Sequence, residues 1–385
     1  GSLLSGNDKT NFINQKGEFM EPLKNLYTKE YLTPFTKQLK SIYPDFSEPS
    51  FYNFVFDSNW NALELKQRIR HISKAIDHTT PSYADAINYL MEIAPSCKGF
   101  GYLFFPDFVE VYGLNNWNLS VQALKAFTPY SSSEFAVRPY IEQRPEEMLE
   151  VMSKWALDEN EHVRRLASEG ARPRLPWAKP LHQLKADPTP ILPILTVLKE
   201  DESLYVRKSV ANHLNDISKD HPELVKKLAK EWYGHNERTD WILKHGCRTL
   251  LKKADPDILT LFGFHLSNDI EVTDFFVPND VHIGEILPFS FNVNNHSEHP
   301  IKLRIEFAID FVKKTGKSSR KLFQLTEKSF KPGKHKYTRK HSFKDLSTRK
   351  HYPGKHRLTL FVNGAEVGTH SFDVHREKET SQQIT

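Results

Sequence analysis

Val163-Arg164-Arg165-Leu166-Ala167-Ser168-Glu169-Gly170-Ala171-Arg172-Pro173-Arg174-Leu175-Pro176-Trp177 starts with helical spacing and ends in a proline-bounded turn. Its approach, Asp158-Glu159-Asn160-Glu161-His162-Val163-Arg164-Arg165, returns as Asp201-Glu202-Ser203-Leu204-Tyr205-Val206-Arg207-Lys208. In both copies an Asp-Glu turn leads into a helix that opens Val-Arg-basic. A weaker third copy runs from Thr239 to Lys244 around Ile242. The anchors Val163, Val206 and Ile242 lie 43 and 36 residues apart. Helical units at that period cannot bury their apolar faces alone and must stack on their neighbours.

Working outward, residues 20–266 read as a mainly α, HEAT-like helical-repeat solenoid. Apolar residues recur at three- and four-residue steps, as in Leu65, Ile69, Ile72 and Ile76, and most prolines fall between such runs. After His265 the period becomes two, in Phe289-Ser290-Phe291-Asn292-Val293, Ile301 to Phe307 and Leu358 to Val362. Turn signals at Pro332-Gly333, Pro353-Gly354 and Asn363-Gly364 separate these runs. About seven short strands in residues 267–376 suggest an immunoglobulin-like β-sandwich without its cysteine pair. Residues 1–19 read as a tag and polar linker before a natural start at Met20, and 377–385 as a polar, disordered tail.

Several classes are excluded. Cys97 and Cys247 form no disulfide framework or zinc spacing, the 18 His show no His-Glu-x-x-His, and the glycines form no phosphate-cradling loop. No metal or cofactor is expected. No stretch approaches the roughly 18 apolar residues of a membrane span, which with the two cysteines fits a reducing cytoplasm. The net charge of +5 is unevenly spread: Val312 to Arg357 holds sixteen Lys/Arg against Glu327 and Asp345, so the rest of the chain is acidic. Such a segment suits a polyanionic partner, although a solvated basic face would look the same.

Two residues beyond each anchor stand Arg165, Lys208 and Lys244; four further on stand Glu169, Asn212 and Arg248. Positions i and i+4 share a helix face, so the repeats offer a row of cations suited to phosphates, or simply exposed helix residues. Glu169 breaks the row. A carboxylate there would stabilise positive charge developing on a deoxyribose, or it pairs with Arg165 or Arg172. A non-catalytic repeat scaffold for protein or nucleic acid is the alternative to an enzyme.

The run from Arg164 to Trp177, with Glu169-Gly170-Ala171-Arg172-Pro173-Arg174 before Pro176-Trp177, resembles the signature of the AlkC branch of AlkC/AlkD-type DNA glycosylases. The resemblance covers about Met20 to Phe264, and the sandwich is similar to the Ig-like domain of some AlkC members. It implies a monofunctional enzyme acting on duplex DNA, releasing 3-methyladenine, with 3-methylcytosine as a further substrate, without a closed base-flipping pocket. Glu169 would be one catalytic carboxylate and Glu134, in Ser133-Glu134-Phe135, a second. Trp177 would face the lesion, or serve only as a hydrophobic anchor between helices. Arg165, Arg172, Lys208 and Lys244 would hold phosphates, with Arg174, Asn212 and Arg248 completing the DNA-binding set. A monomer of bacterial type, acting at the nucleoid, is expected.

Overall fold

The computed structural model describes residues 22–265, 267–346 and 350–376. The expected tag at 1–19 and tail at 377–385 lie outside the described residues, apart from which the chain divides into two compact units at Gly246/Cys247.

In the first unit, fourteen α-helices alternate with short turns among the described residues. The repeated Asp-Glu turns fold alike for a local reason. Asp158 Oδ1 accepts from Asn160 N at 2.9 Å, and Asp201 Oδ1 from Ser203 N at 2.9 Å. Asn160 and Ser203 then cap helices Glu161–Glu169 and Leu204–Asp220. The arginine after each anchor valine turns back onto the turn. Arg164 Nη1 donates to the carbonyls of Asp158 and Glu159 (3.0 and 2.9 Å), and Arg207 Nη1 to those of Asp201 and Glu202 (both 2.9 Å). Arg164 also grips Asp201 at 2.7 Å, tying one repeat to the next.

Helix Leu204–Asp220 packs between Glu161–Glu169 and Glu237–Gly246, so the three anchor-bearing helices are consecutive neighbours. Val163, Val206 and Ile242 are all buried there, with Leu166, Val210 and Leu214. Each such side chain stabilises the stack by about 1.5–3 kcal/mol relative to exposure.

Among the described residues, the second unit forms a sandwich of eight strands. Strands β1 (Ile270–Phe276), β3 (Ile286–Asn295) and β6 (Gly333–Ser342) form one sheet in the order β1-β3-β6. The other has the order β2-β8-β7-β4-β5, from β2 (Asp280–His282), β8 (Ala365–His375), β7 (Gly354–Val362), β4 (Ile301–Val312) and β5 (Ser318–Phe330). All pairs are antiparallel except β2 with β8. Phe289, Phe291, Ile305, Leu358, Leu360 and Phe372 fill the space between the sheets. Asn363 and Gly364 have φ of 47° and 79°, the left-handed pair of a tight hairpin joining β7 to β8.

Helices Arg248–Lys252 and Pro256–Leu261 belong to this unit. Lys302 Nζ donates to Phe262 O at 2.8 Å and Asn363 Nδ2 to His265 O at 2.8 Å. A Cβ on Gly364 would sit 2.8 Å from Leu259, so the hairpin lies directly against the helical segment. The basic stretch forms β5 and β6, each at the edge of its sheet, where exposed lysines also discourage edge-to-edge pairing.

Candidate active site

Glu134, Glu169 and Asp216 come from three different places in the first unit. Glu134 lies in the turn before helix Arg138–Gln143, Glu169 ends helix Glu161–Glu169, and Asp216 stands in the last turns of Leu204–Asp220. Arg165 and Arg172 thread between them. Arg165 Nη1 lies 2.7 Å from Glu134 Oε2 and Nη2 lies 3.4 Å from Glu169 Oε1. Arg172 Nη1 donates to Glu169 Oε1 at 2.9 Å, while its Nε and Nη2 donate to Asp216 at 2.9 and 3.3 Å. The result is an alternating chain, Glu134–Arg165–Glu169–Arg172–Asp216, with three carboxylates and two guanidiniums.

The expected phosphate-facing role of Arg165 and Arg172 does not match where they sit. They are only 5% and 6% exposed, and both heads are committed to carboxylates. Arg165 on helix Glu161–Glu169 and Arg172 in the turn after it are both drawn inward by the three buried acids. Arg174 pairs at the surface with Asp220 at 2.8 Å. Lys208 is exposed, and Asn212, Lys244 and Arg248 are half-buried. Arg248 falls in the second unit, whereas Lys208 and Lys244 belong to the first.

Asp216 is the acid that repeat spacing does not reveal. The row through Lys208 and Asn212 reaches it one helical turn later, but the copy around Val163 has Pro173 at the equivalent place, where the helical correspondence ends. Ser209, His213 and Asp216 form a polar stripe at helical spacing, all buried, on the face that meets helix Glu161–Glu169. Ser209 Oγ donates to Glu169 Oε2 at 2.6 Å. His213 Nδ1 lies 3.0 Å from Ser168 O; burial pushes its pKa down to about 3, so the ring is neutral and donates to that carbonyl.

The environments separate the carboxyls. Burial works against charge on Glu169, but Arg165, Arg172 and Ser209 together outweigh it and hold this carboxyl below its ordinary range. Burial dominates at Glu134 and Asp216, pushing both upward against the pull of Arg165 and Arg172 respectively. Glu134 Oε2 meets the Arg165 guanidinium at 2.7 Å as its ion-pair partner.

The turn after Glu169 is fixed by close packing. A Cβ on Gly170 would lie 2.5 Å from Val137 Cγ1 and 3.0 Å from Leu166 O. Arg138 holds the far side of this turn, with Nη1 donating to Gly170 O and Arg172 O (3.1 and 2.8 Å) and Nη2 to Lys179 O at 2.7 Å. Gly170→Ala is therefore expected to destabilise the unit by about 1–3 kcal/mol through overpacking. A lower midpoint in urea unfolding checks this; an unchanged midpoint would mean Val137 swings aside freely. Trp177 ends the turn at φ 65°, a left-handed conformation strained for a bulky residue, with its carbonyl held by Lys66 Nζ.

Residues 128–250 match the family described as DNA alkylation repair enzyme, and residues 271–376 the C-terminal Ig-like domain of the uncharacterised protein YhaZ. The chain is 48% identical to YhaZ of Bacillus subtilis (strain 168) over 358 residues, 92% of this chain and 100% of that protein. It is also similar to Pseudomonas fluorescens alkylpurine DNA glycosylase AlkC, solved bound to DNA containing an abasic site analogue. That likeness has 38% identity and a TM-score of 0.86, over 92% of this chain and 100% of that one. With the helical repeats, the Glu169–Trp177 turn and the sandwich all accounted for, the chain belongs to the AlkC group of DNA alkylation repair enzymes, with a C-terminal Ig-like domain.

Proposed function

We propose that this protein is a monofunctional glycosylase that hydrolyses the N-glycosidic bond of cationic alkylated bases, 3-methyladenine foremost and 3-methylcytosine as a further substrate, in duplex DNA. The buried chain of three carboxylates and two guanidiniums carries the proposal, because when fully ionised it keeps one uncompensated negative charge. As the bond from C1′ breaks, its electron pair leaves with the base and neutralises the alkylated ring. The sugar becomes cationic, and Glu169, held ionised, stabilises it. Water then adds to C1′ and passes a proton to Glu134, whose carboxyl burial pushes upward despite its ion pair with Arg165. Asp216 supports the site by orienting Arg172. Trp177 offers a π face to the cationic base, an attraction of about 0.5–2 kcal/mol.

The test is base release. Methylated duplex DNA incubated with the protein should yield free alkylated bases on chromatography and leave abasic strands that break only on later alkali treatment. Strand cleavage by the protein itself would overturn monofunctionality, and no freed base would overturn the function.

As separate DNA-contacting surfaces we assign Lys208 on the first unit and, on the second, one face of β6. Lys334, Lys336 and Lys340 point to the same side of that edge strand and are all exposed. Replacing these three lysines by alanine should weaken duplex binding and flatten the slope of log K against log salt by about 0.9 for each phosphate no longer neutralised. An unchanged slope would remove this face from the interface.

A further inference from the structure

One residue before each anchor of the repeats stands a ring: His162 before Val163, Tyr205 before Val206 and Trp241 before Ile242. Two of the three meet a guanidinium of the preceding repeat. The Arg165 guanidinium carbon lies over the Tyr205 ring, 4.8 Å from its centre, and that of Arg207 lies over Trp241 at 5.8 Å. The two arginines are not equivalent, since Arg165 stands two residues beyond its anchor and Arg207 only one. Lys208, the true counterpart of Arg165, is exposed, whereas Arg165 is buried.

Tyr205 is itself fixed in place. Ser203 caps the tyrosine's helix and donates its hydroxyl to Glu161 Oε2 on the preceding one. The His162 ring meets Tyr205 edge-to-face at 5.3 Å, and residues 162 and 165 share a helix face, so the tyrosine packs against both. Burial holds the Tyr205 hydroxyl above its ordinary range against the pull of Arg165, which leaves the ring neutral. The edge of the Arg165 guanidinium is meanwhile engaged by Glu134 at 2.7 Å, Glu169 at 3.4 Å and Ser132 Oγ at 3.5 Å.

We propose that Tyr205 is a positioning residue for base release, whose ring latches the Arg165 guanidinium inward between Glu134 and Glu169 and keeps it from turning out toward a DNA phosphate. The inference rests on the glycosylase reading for its link to rate. A cation–π contact biases a side chain with two available positions by about 2- to 30-fold. That bias matters most when Glu134 is protonated. An ionised Glu134 holds Arg165 by charge, with or without the ring. A neutral one does not, and without the ring the guanidinium is then free to leave. Its escape favours the protonated form, so loss of the ring raises the pH at which Glu134 ionises. The other charged or titratable groups here, Glu169 and Arg172 facing Glu134, and Glu161 and His162 facing Tyr205, are untouched by the substitution.

Two variants of the full chain test the latch: Tyr205→Leu, which removes the π face, and Tyr205→Phe, which keeps it; thermal melts confirm that both fold. Ionisation of Glu134 is followed without DNA by carbon NMR of labelled glutamate carboxyls, its signal assigned by its loss in Glu134→Gln. Single-turnover release of 3-methyladenine from methylated duplex is measured over the same pH range. In Tyr205→Leu, the Glu134 titration and the acidic limb of release should both move upward by roughly 0.4–1.5 pH units, and Tyr205→Phe should restore both. A rate that falls equally at every pH, with Glu134 titrating unchanged, would make Tyr205 a packing residue only. That result overturns the latch and leaves the glycosylase function standing. An equal shift in both variants would assign the effect to the hydroxyl and overturn the latch as well. A wild type that releases no base, with the Glu134 shift present in Tyr205→Leu alone, would uphold the latch and overturn the glycosylase function.

Discussion

Replacing Glu169 by glutamine is expected to slow single-turnover release of 3-methyladenine by roughly 10²–10³-fold while leaving duplex affinity almost unchanged. The substitution keeps the side-chain volume and removes only the fixed negative charge. Glu169 is the member of the carboxylate chain best held in its ionised form, with Arg165, Arg172 and the Ser209 hydroxyl all favouring the anion. It is therefore the group able to meet the sugar cation without first losing a proton. Glu134 has the opposite bias. If it must be ionised to accept a proton from water, wild-type release should rise with pH through its elevated pKa, and that acidic limb should disappear in Glu134→Gln. A Glu169→Gln protein retaining activity within about threefold of wild type would take Glu169 out of the chemistry.

What the sequence displays well is what repeats. The turns at Asp158 and Asp201 share their aspartate-to-backbone bonds and their returning arginines, and each interaction is local enough to leave a fixed spacing. The change from helical spacing to alternation is equally local, and the first strand starts at Ile270. Glu169 and Glu134 could be named because the Arg164–Trp177 turn is distinctive. Their meeting through Arg165 could not, because the ion pair joins the middle of one helix to a turn 31 residues earlier in the chain.

Direction is what spacing conceals. Arg165 and Lys208 occupy equivalent places after Val163 and Val206, yet one is buried and the other exposed. The difference comes from Glu134, whose desolvated carboxyl recruits the nearest cation, a tertiary event with no periodic signature. Burial also hides the polar stripe Ser209–His213–Asp216, which looks like a solvated face until helix Glu161–Glu169 is laid against it. In the sandwich, Arg304 and Glu306 alternate with apolar neighbours as solvent-facing residues would. They are nevertheless buried and joined to each other, with Arg304 also bonded to Glu327 at 2.8 Å. The helical segment after Cys247 carries the same helical spacing as the repeats, so no local pattern marks it for the β unit.

Arg172→Met should produce the largest loss of stability, about 3–5 kcal/mol near neutral pH, because it leaves two buried carboxylates facing less positive charge. Methionine nearly preserves the aliphatic volume, so most of the loss would be electrostatic. Its pH dependence follows from the carboxyls. In wild type the lowered Glu169 pKa contributes stability that is present above the unfolded value and is lost as pH falls through the folded one. Without Arg172, both Glu169 and Asp216 would be displaced upward. A carboxyl raised in the folded state favours folding while protonated, and that contribution vanishes as pH rises through its folded pKa. The deficit against wild type should therefore be greatest above neutrality and shrink on acidification. Urea unfolding at pH 5 and pH 8 measures it; an equal deficit at both would mean that Arg172 holds the turn by packing and by its geometry, and not through the ionisation of Glu169 and Asp216.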